Sequence, residues 1–334
     1  VALILAKINN LNSHKLAKDI KIVLIDNIKD IEKIEIAGPG FLNIKINDKS
    51  IKNLMEKIFL EQDSYGSKKE NKKYNIEFVS ANPTGPMHVG HCRGAIFGDV
   101  LSNLLSFNGN SITKEYYINN YGNQIKYFSK SVFLRIREII YREKFVNGKD
   151  LYPGDYILDI ANKIIKDNPN EKYATFEDVH KKLSKESLFY SMEMIKQDLQ
   201  KLGVKHDNFF SETDLVEKKL VNKSVKYLKD NKFVEEGFLE KPKGEESKDW
   251  KKTKRLIFKS TMFNDDADRA LTKNDGSWTY FANDIAYHMD KVSRKYDFLV
   301  NILGADHAGY IKRITSVVEA LSGSKGKLIC KVSQ

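Results

Sequence analysis

Between Tyr74 and Ile118 the chain reads strand, loop, helix, strand, and this stretch constrains the fold more tightly than any other. Asn75-Ile-Glu-Phe-Val79 predicts a short strand, Ser80 to Met87 is a loop rich in Pro and Gly, and Ile112 to Ile118 alternates as a second strand. Between them Ile96, Val100, Leu104 and Phe107 recur at helical spacing, with Phe97, Leu101 and Leu105 as a second apolar face. The spacing predicts a helix ending at Gly109 and buried on both sides. Such a unit is a right-handed crossover between parallel strands, and its ligand site belongs at the strand ends that face the helix N-terminus. The same rhythm returns with Trp278-Thr-Tyr-Phe281 leading into a helix, the strand Phe298 to Leu303, the loop Gly304 to Gly309 and another helix. The fold class is α/β, a parallel-sheet domain split by a mainly helical insertion at about 120–275.

With 334 residues the chain has room for about two domains. Residues 1–65 read as a small α/β unit: a helix from Ser13 to Ile25, a hairpin-like pair Ile31 to Ile36 and Phe41 to Ile46 around Ala37-Gly-Pro-Gly40, and a helix from Ser50 to Glu61. The polar run Asp63 to Lys73 is the linker, with a boundary near Gly66, and residues 66–334 form the second domain. In the insertion, Leu188, Met192, Ile195, Leu199 and Leu202 keep amphipathic spacing. Cys92 and Cys330 have no CxxC spacing, which excludes a zinc ribbon or a disulfide scaffold and leaves two free thiols. No apolar run approaches the ~20 residues of a membrane span, so no membrane association and a cytoplasmic location are expected. The 56 Lys+Arg against 45 Asp+Glu leave a net charge of +11, which suits a polyanionic partner and equally a solvated lysine surface. The chain opens on Val1 and closes on Leu328 to Gln334, which reads like the middle of an element, so a fragment is expected.

The chemistry concentrates in His88-Val-Gly-His91, at the start of the helix after the first strand. Two imidazoles beside the unpaired N–H groups of a helix's first turn make an anion site suited to a triphosphate. Gly90 removes a side chain where a planar base could lie against the backbone. The four residues alone also fit a surface pair, or a metal pair backed by Cys92.

The flanking residues narrow the choice. Glu77-Phe-Val-Ser-Ala-Asn-Pro-Thr-Gly-Pro-Met-His-Val-Gly-His91 resembles the signature of arginyl-tRNA synthetases, a class I aminoacyl-tRNA synthetase family, with the last four residues as its HIGH motif. Glu115 to Gln124, Asp275 to Tyr287 and Leu303 to Tyr310 resemble the same family in the same order, and Ala37-Gly-Pro-Gly-Phe41 resembles its N-terminal domain. The resemblance covers essentially the whole chain. It departs at Asn120, where related sequences more often carry Asp, and in ending before a KMSK-type loop and an anticodon-binding domain. Lys182-Leu-Ser-Lys-Glu186 imitates that loop but precedes the second α/β half, and Ser184 reads better as a cap opening the Leu188 to Leu202 helix.

What the resemblance implies is a Rossmann-like catalytic domain that activates L-arginine with ATP and Mg²⁺ and transfers it to tRNA(Arg). His88 and His91 would stabilise charge on the phosphates, and Gly90, Gly304, Asp306 and His307 would complete the nucleotide site, with no resident protein metal. A planar guanidinium calls for acidic partners. Tyr280 and Asp284, across a strand end and a helix start, are candidates, with Glu77 as a second carboxylate. Ser80 and Asn82 would meet the ammonium or carboxylate of arginine. Asp306 reads alternatively as the cap of the next helix, and Asp284 as a first-turn carboxylate. The N-terminal unit, with Lys15, Lys18, Lys21 and Lys33 scattered through it, would meet the tRNA elbow, and Lys241 to Arg255, with Trp250, reads as RNA contact or solvated loop. The expected enzyme is monomeric. Two alternatives stand: a noncatalytic tRNA-binding fragment, and another HxGH nucleotidyltransferase.

Overall fold

A computed structural model describes residues 1–239 and 253–333. The chain divides into two compact units, Val1–Lys68 and Lys69–Gln334. In the first, α1 (Ala2–Asn9) and α2 (Ser13–Asn27) precede the antiparallel hairpin β1 (Ile31–Ala37) and β2 (Phe41–Ile46), and α3 (Asp48–Glu61) follows. The Asn12 side chain accepts the Lys15 N–H at 3.0 Å to start α2. Asn47 accepts the Ser50 N–H at 2.8 Å, so α3 begins at Asp48 rather than Ser50. Gly40 has φ +128°, and a Cβ there would lie 2.9 Å from the Ser13 carbonyl oxygen, so only glycine lets the hairpin turn pack on the start of α2.

In the second unit β3 (Lys73–Glu77), α4 (Val89–Phe107) and β4 (Ser111–Ile118) form the expected crossover. The helices α5 (Asn123–Tyr141), α6 (Tyr156–Asp167) and α7 (Phe176–Lys201) pack around Phe128, Val132, Ile136, Ile160, Ile164 and Leu183. There follow β5 (Asn208–Ser211), α8 (Glu212–Glu217), α9 (Leu220–Asp230), and a small antiparallel sheet of β6 (Val234–Gly237), β7 (Arg255–Phe258) and β8 (Arg269–Ala270). The chain closes with α10 (Tyr280–Ser293), β9 (Phe298–Gly304), α11 (Ile311–Ser322) and β10 (Leu328–Ser333). The main sheet is wholly parallel in the order β10-β9-β3-β4-β5. Strand order reverses at β3, and the crevice outside the carboxyl ends of β3 and β9 is where such a sheet binds ligands.

The mainly helical stretch 120–275 also supplies β5, an edge strand of the main sheet, and the small sheet; a four-residue half-buried strand is too short for alternation to register in the sequence. Two expectations need correction. The helix α4 is not buried on both sides. Ile96, Val100, Leu104 and Phe107 are between 43% and 56% exposed, and the buried positions are Gly94, Ala95, Gly98 and Ser102 instead. Lys182 to Lys185 lies inside α7, so Ser184 caps nothing; its hydroxyl meets that of Ser129 at 3.0 Å. Residues 241–252 of the Lys241 to Arg255 stretch lie outside the described residues. Met192, Ile195 and Leu199 are buried as their spacing predicts, while Leu202 is 39% exposed at the helix end. Both cysteines are free, and among the described residues no helix is long and apolar enough to cross a membrane.

Candidate active site

The strand expected to run to Val79 stops at Glu77 because Val79 and Ser80 take φ values of +70° and +41°. Left-handed backbone costs such residues about 1–3 kcal/mol each, and persists only where the surroundings dictate it. Here they do. Phe78 N–H donates to the Glu115 carbonyl at 3.2 Å, Ser80 N–H to that of Phe78 at 3.0 Å, and the Tyr116 hydroxyl to that of Ala81 at 2.8 Å. His206, buried and pushed down to about 4 chiefly by that burial, packs its ring 4.2 Å from that of Phe78. The turn delivers Ser80 and Asn82 into a cavity of about 420 Å³ that His88, Gly90, His91, Gly304, Asp306 and His307 also line.

His88 is the N-cap of α4: its Nδ1 accepts the Gly90 N–H at 3.1 Å, and His91 Nδ1 accepts the His88 N–H at 3.3 Å. With both Nδ1 atoms accepting, each neutral ring carries its proton on Nε2, the atom left for a ligand. Burial, then the neighbouring His88, pushes the His91 imidazole below its ordinary range and favours that neutral donor. Gly90 is needed for the arrangement itself, since a Cβ there would lie 3.0 Å from His88 Cε1. Asp306 does not cap α11, which begins at Ile311; it sits in the short turn Ala305–Tyr310, its carboxylate 3.3 Å from His307 Nε2.

A second cavity, of about 290 Å³, adjoins the first and shares Leu303 and His307 with it. Its wall includes Glu77, Tyr117, Asp284, Tyr287, Asn301 and Tyr310. Asp284 accepts the Tyr310 hydroxyl, and burial, with the Glu212 and Glu77 carboxylates nearby, pushes its carboxyl up to about 7 against the pull of Tyr310 and Arg313. Burial thus outweighs what Arg313 supplies, leaving the carboxyl under-compensated. Asp284 lies in the second turn of α10, past the first-turn position that the helix dipole favours.

Beneath this cavity lies a charge network. Lys291, with no exposed side chain, reaches Glu77 Oε2 at 2.5 Å and Asn301 Oδ1 at 3.0 Å. Asn301 Nδ2 donates to His288 Nε2 at 3.1 Å, and His288 Nδ1–H to the Asp284 carbonyl at 2.8 Å, which fixes the tautomer. Burial would raise the Glu115 carboxyl, but bidentate Arg294 and the charge of Lys291 outweigh it and hold it at about 2. The Tyr287 hydroxyl sits 2.8 Å from Glu115 Oε1 and 3.1 Å from Glu77 Oε2.

The structure therefore gathers His88, Gly90, His91, Gly304, Asp306, His307, Ser80 and Asn82 around one cavity and Glu77 and Asp284 around its neighbour. It does not bring in Tyr280, which opens α10 rather than ending a strand, is 72% exposed and lines neither cavity. Sequence reasoning missed Tyr117, Tyr287, His288, Asn301, Tyr310 and, below them, Lys291. One signal was available: Asp284, Tyr287, His288 and Lys291 fall at i, i+3, i+4 and i+7 on one helical stripe, a polar run where a packed helix should be apolar. Asn120 lines neither cavity. Its Oδ1 accepts the Thr213 N–H at 3.1 Å and its Nδ2 donates to Ser211 Oγ at 2.9 Å, tying the loop after β4 to the start of α8.

Comparison with known proteins matches two families along the chain. The family described as tRNA synthetases class I (R), catalytic domain, matches residues 54–322, and the arginyl tRNA synthetase N terminal domain matches residues 1–46. An arginine–tRNA ligase of Pelagibacter ubique is 55% identical over 100% of this chain and 58% of its own length, and one from Wolbachia of Brugia malayi is 45% identical over 91% and 54%. The chain thus spans little more than half the length of these relatives. A Campylobacter jejuni crystal structure described as an arginyl-tRNA synthetase superposes with a TM-score of 0.73 at 31% identity, covering 86% of this chain and 60% of that one. The Thermus thermophilus arginyl-tRNA synthetase, at 15% identity and a TM-score of 0.60 over 99% of this chain and 58% of that one, shares the fold.

Proposed function

We propose that this chain, which belongs to the class I arginyl-tRNA synthetase family, houses the reaction of an arginine–tRNA ligase working in the cytoplasm. The carrying observation is the shared wall of the two cavities, Leu303 and His307, which sets an anion site against a pocket with a cation-deficient carboxylate. In this reading the guanidinium of L-arginine enters the smaller cavity toward Asp284, and its carboxylate faces the junction beside Ser80 and Asn82. ATP lies in the larger cavity with its phosphates at the start of α4 and its ribose near Asp306.

The arginine carboxylate oxygen attacks the α-phosphorus, the bond to pyrophosphate breaks, and a hydroxyl of the terminal adenosine of tRNA(Arg) then displaces AMP from the arginyl-adenylate. No covalent enzyme intermediate is needed. The protein's share is positioning and charge stabilisation, which falls to the Nε2–H groups of His88 and His91 and the helix N-terminus. Mg²⁺ supplies further neutralisation of the phosphates when bound. Among the described residues no group of three or more His, Cys, Asp or Glu is arranged as a metal site, so phosphate oxygens would hold the ion, with Asp306 the carboxylate lining the cavity.

Pyrophosphate exchange into ATP by the protein carrying this chain, assayed with each amino acid in turn and with and without tRNA, tests the reading. Exchange with arginine alone among the twenty supports it; exchange with another amino acid, or none with arginine and tRNA both present, refutes it.

A further inference from the structure

We propose that Lys291 and Glu77 form a positioning pair that fixes Ser80, and with it the strained Val79–Ser80 turn, at the junction of the two cavities. This rests on the arginine-activating reading above.

Glu77 is the last residue of β3 and lines the smaller cavity, whereas Ser80 lines the larger one. One carboxylate joins them. Its Oε1 accepts the Ser80 hydroxyl at 3.1 Å, and its Oε2 faces Lys291 Nζ at 2.5 Å. Ser80 Oγ also accepts the Tyr117 N–H at 3.0 Å, so the hydroxyl is held from both sides and its proton is directed to Glu77. The side chain thereby takes over a contact with β4 that the backbone gives up where the strand ends.

Lys291 lines neither of the two cavities. Its ammonium is wholly enclosed, between Glu77, Asn301 and the face of the Tyr287 ring 4.6 Å away. Burying two charges in this way is a weak route to stability, because an apolar pair of similar volume often serves as well or better. What a buried ion pair adds is direction, and here the directed group is the hydroxyl beside the reacting centre. Both oxygens of Glu77 are then committed to partners within the chain, which replaces its expected role as a second guanidinium carboxylate and leaves Asp284 as the acidic group facing arginine. Lys291 is a positioning residue: it acts through Glu77 on Ser80 and touches no substrate.

In-line attack is sensitive to small displacements, an ångström costing up to about a hundredfold. The test is a double-mutant cycle in the protein carrying this chain, measuring arginine-dependent pyrophosphate exchange with tRNA per titrated active site. Lys291→Met should lower the rate by up to about a hundredfold, with the dissociation constants for arginine and ATP each within about twofold of wild type. In a Ser80→Ala background the Lys291 change should have no further effect, because the hydroxyl it directs is gone.

Multiplying effects in the double variant would overturn the proposal, as would a Lys291→Met protein that melts lower but keeps its rate per site. If Lys291→Met does not fold, Glu77→Gln replaces it in the same cycle with the same expectation. A wild-type protein without arginine-dependent exchange would instead overturn the functional reading and take this inference with it.

Discussion

The imidazoles of His88 and His91 stack with ring centroids 3.7 Å apart and planes 20° from parallel, each Nδ1 accepting a backbone N–H of the first turn of α4. Cap and ligand site are therefore one object. At position 88 Asn is a good N-cap and still presents an N–H donor, whereas Ala removes both. His88→Ala should cost about 1 kcal/mol of stability and slow adenylate formation by about 10²–10³-fold. His88→Asn should keep the melting temperature and lose much less rate. Equal damage from the two substitutions, or zinc bound at one equivalent in the purified protein, would point to a metal-ligand role instead.

Asp284 gives the amino-acid site a pH signature. Burial raises its carboxyl from 3.8 to about 7 in the unliganded protein. An acid raised by folding favours the folded state at low pH and loses that advantage as pH climbs from about 4 to about 7. Near three pH units the loss is on the order of 4 kcal/mol. A guanidinium in the cavity reverses the preference, so arginine affinity should fall about tenfold per unit below pH 7. Asp284→Asn should flatten the stability slope and abolish the affinity slope. Calorimetric titration of arginine between pH 5.5 and 8 checks the affinity slope and thermal melts between about pH 4 and 7 check the stability slope, in a range where Glu115, held at about 2, stays ionised. A flat affinity profile for the wild-type protein would rule out Asp284 as the guanidinium partner.

The parallel sheet and the residues lining the larger cavity were legible because both leave periodic or contiguous marks: alternating strands, a Pro- and Gly-rich loop, and His-Val-Gly-His at a helix start. The smaller cavity was legible only at Glu77, Asp284 and the shared His307. Its other walls come from β4, β9 and the turn before α11, and a single sequence does not reveal that Tyr117, Asn301 and Tyr310 converge in space. Tyr280 opens α10, so its four-residue spacing from Asp284 lies along one helix and not across a strand-to-helix junction. In α4 the misreading ran the other way. Apolar periodicity marks a surface that could be covered, but Gly98, which carries no hydrophobic signal, is what lets the helix lie close to Phe78, just past the end of β3.

Asn120 should prove a tolerant position. Its acceptor takes the Thr213 N–H at the start of α8, and a carboxylate would accept the same bond with added favour from the helix dipole. The Ser211 hydroxyl, now within 2.9 Å of the amide nitrogen, can turn and donate to the new oxygen. Asn120→Asp should leave stability within about 0.5 kcal/mol and arginine-dependent exchange unchanged. Asn120→Ala removes the acceptor and should cost about 1 kcal/mol. Thermal melts of the two variants side by side decide whether the residue works as a tie. A large rate loss in Asn120→Asp with an unchanged melt would assign it to the chemistry.

Gly98 offers the most direct test that the closeness of α4 to the sheet shapes the site. A Cβ at this position would stand 2.2 Å from Phe78 Cγ and 2.7 Å from Phe78 Cβ, and the ring cannot retreat because His206 packs against it and Ile76 and Tyr116 share its core. Phe78 also directly precedes the left-handed Val79 and Ser80, and its carbonyl accepts the Ser80 N–H. An added methyl must therefore shift either α4, with His88 and His91 at its head, or the turn that carries Ser80 and Asn82. Overpacking of this kind costs about 1–3 kcal/mol. Gly98→Ala should lower the melting temperature accordingly and slow adenylate formation by tenfold or more, on the order of what a sub-ångström misplacement of reacting groups costs. Gly94→Ala is the control for the melt alone, since the residue lines the larger cavity but a Cβ there meets no protein atom within 4 Å and replaces a flexible residue inside a helix, a change worth about 0.5–1 kcal/mol in favour of folding. The pair should split cleanly, with Gly94→Ala as stable as wild type or more so and Gly98→Ala impaired in both measurements. Equal melts of the two, with an unchanged rate in Gly98→Ala, would mean that the contact between Phe78 and α4 does not hold the nucleotide and amino-acid sites in register.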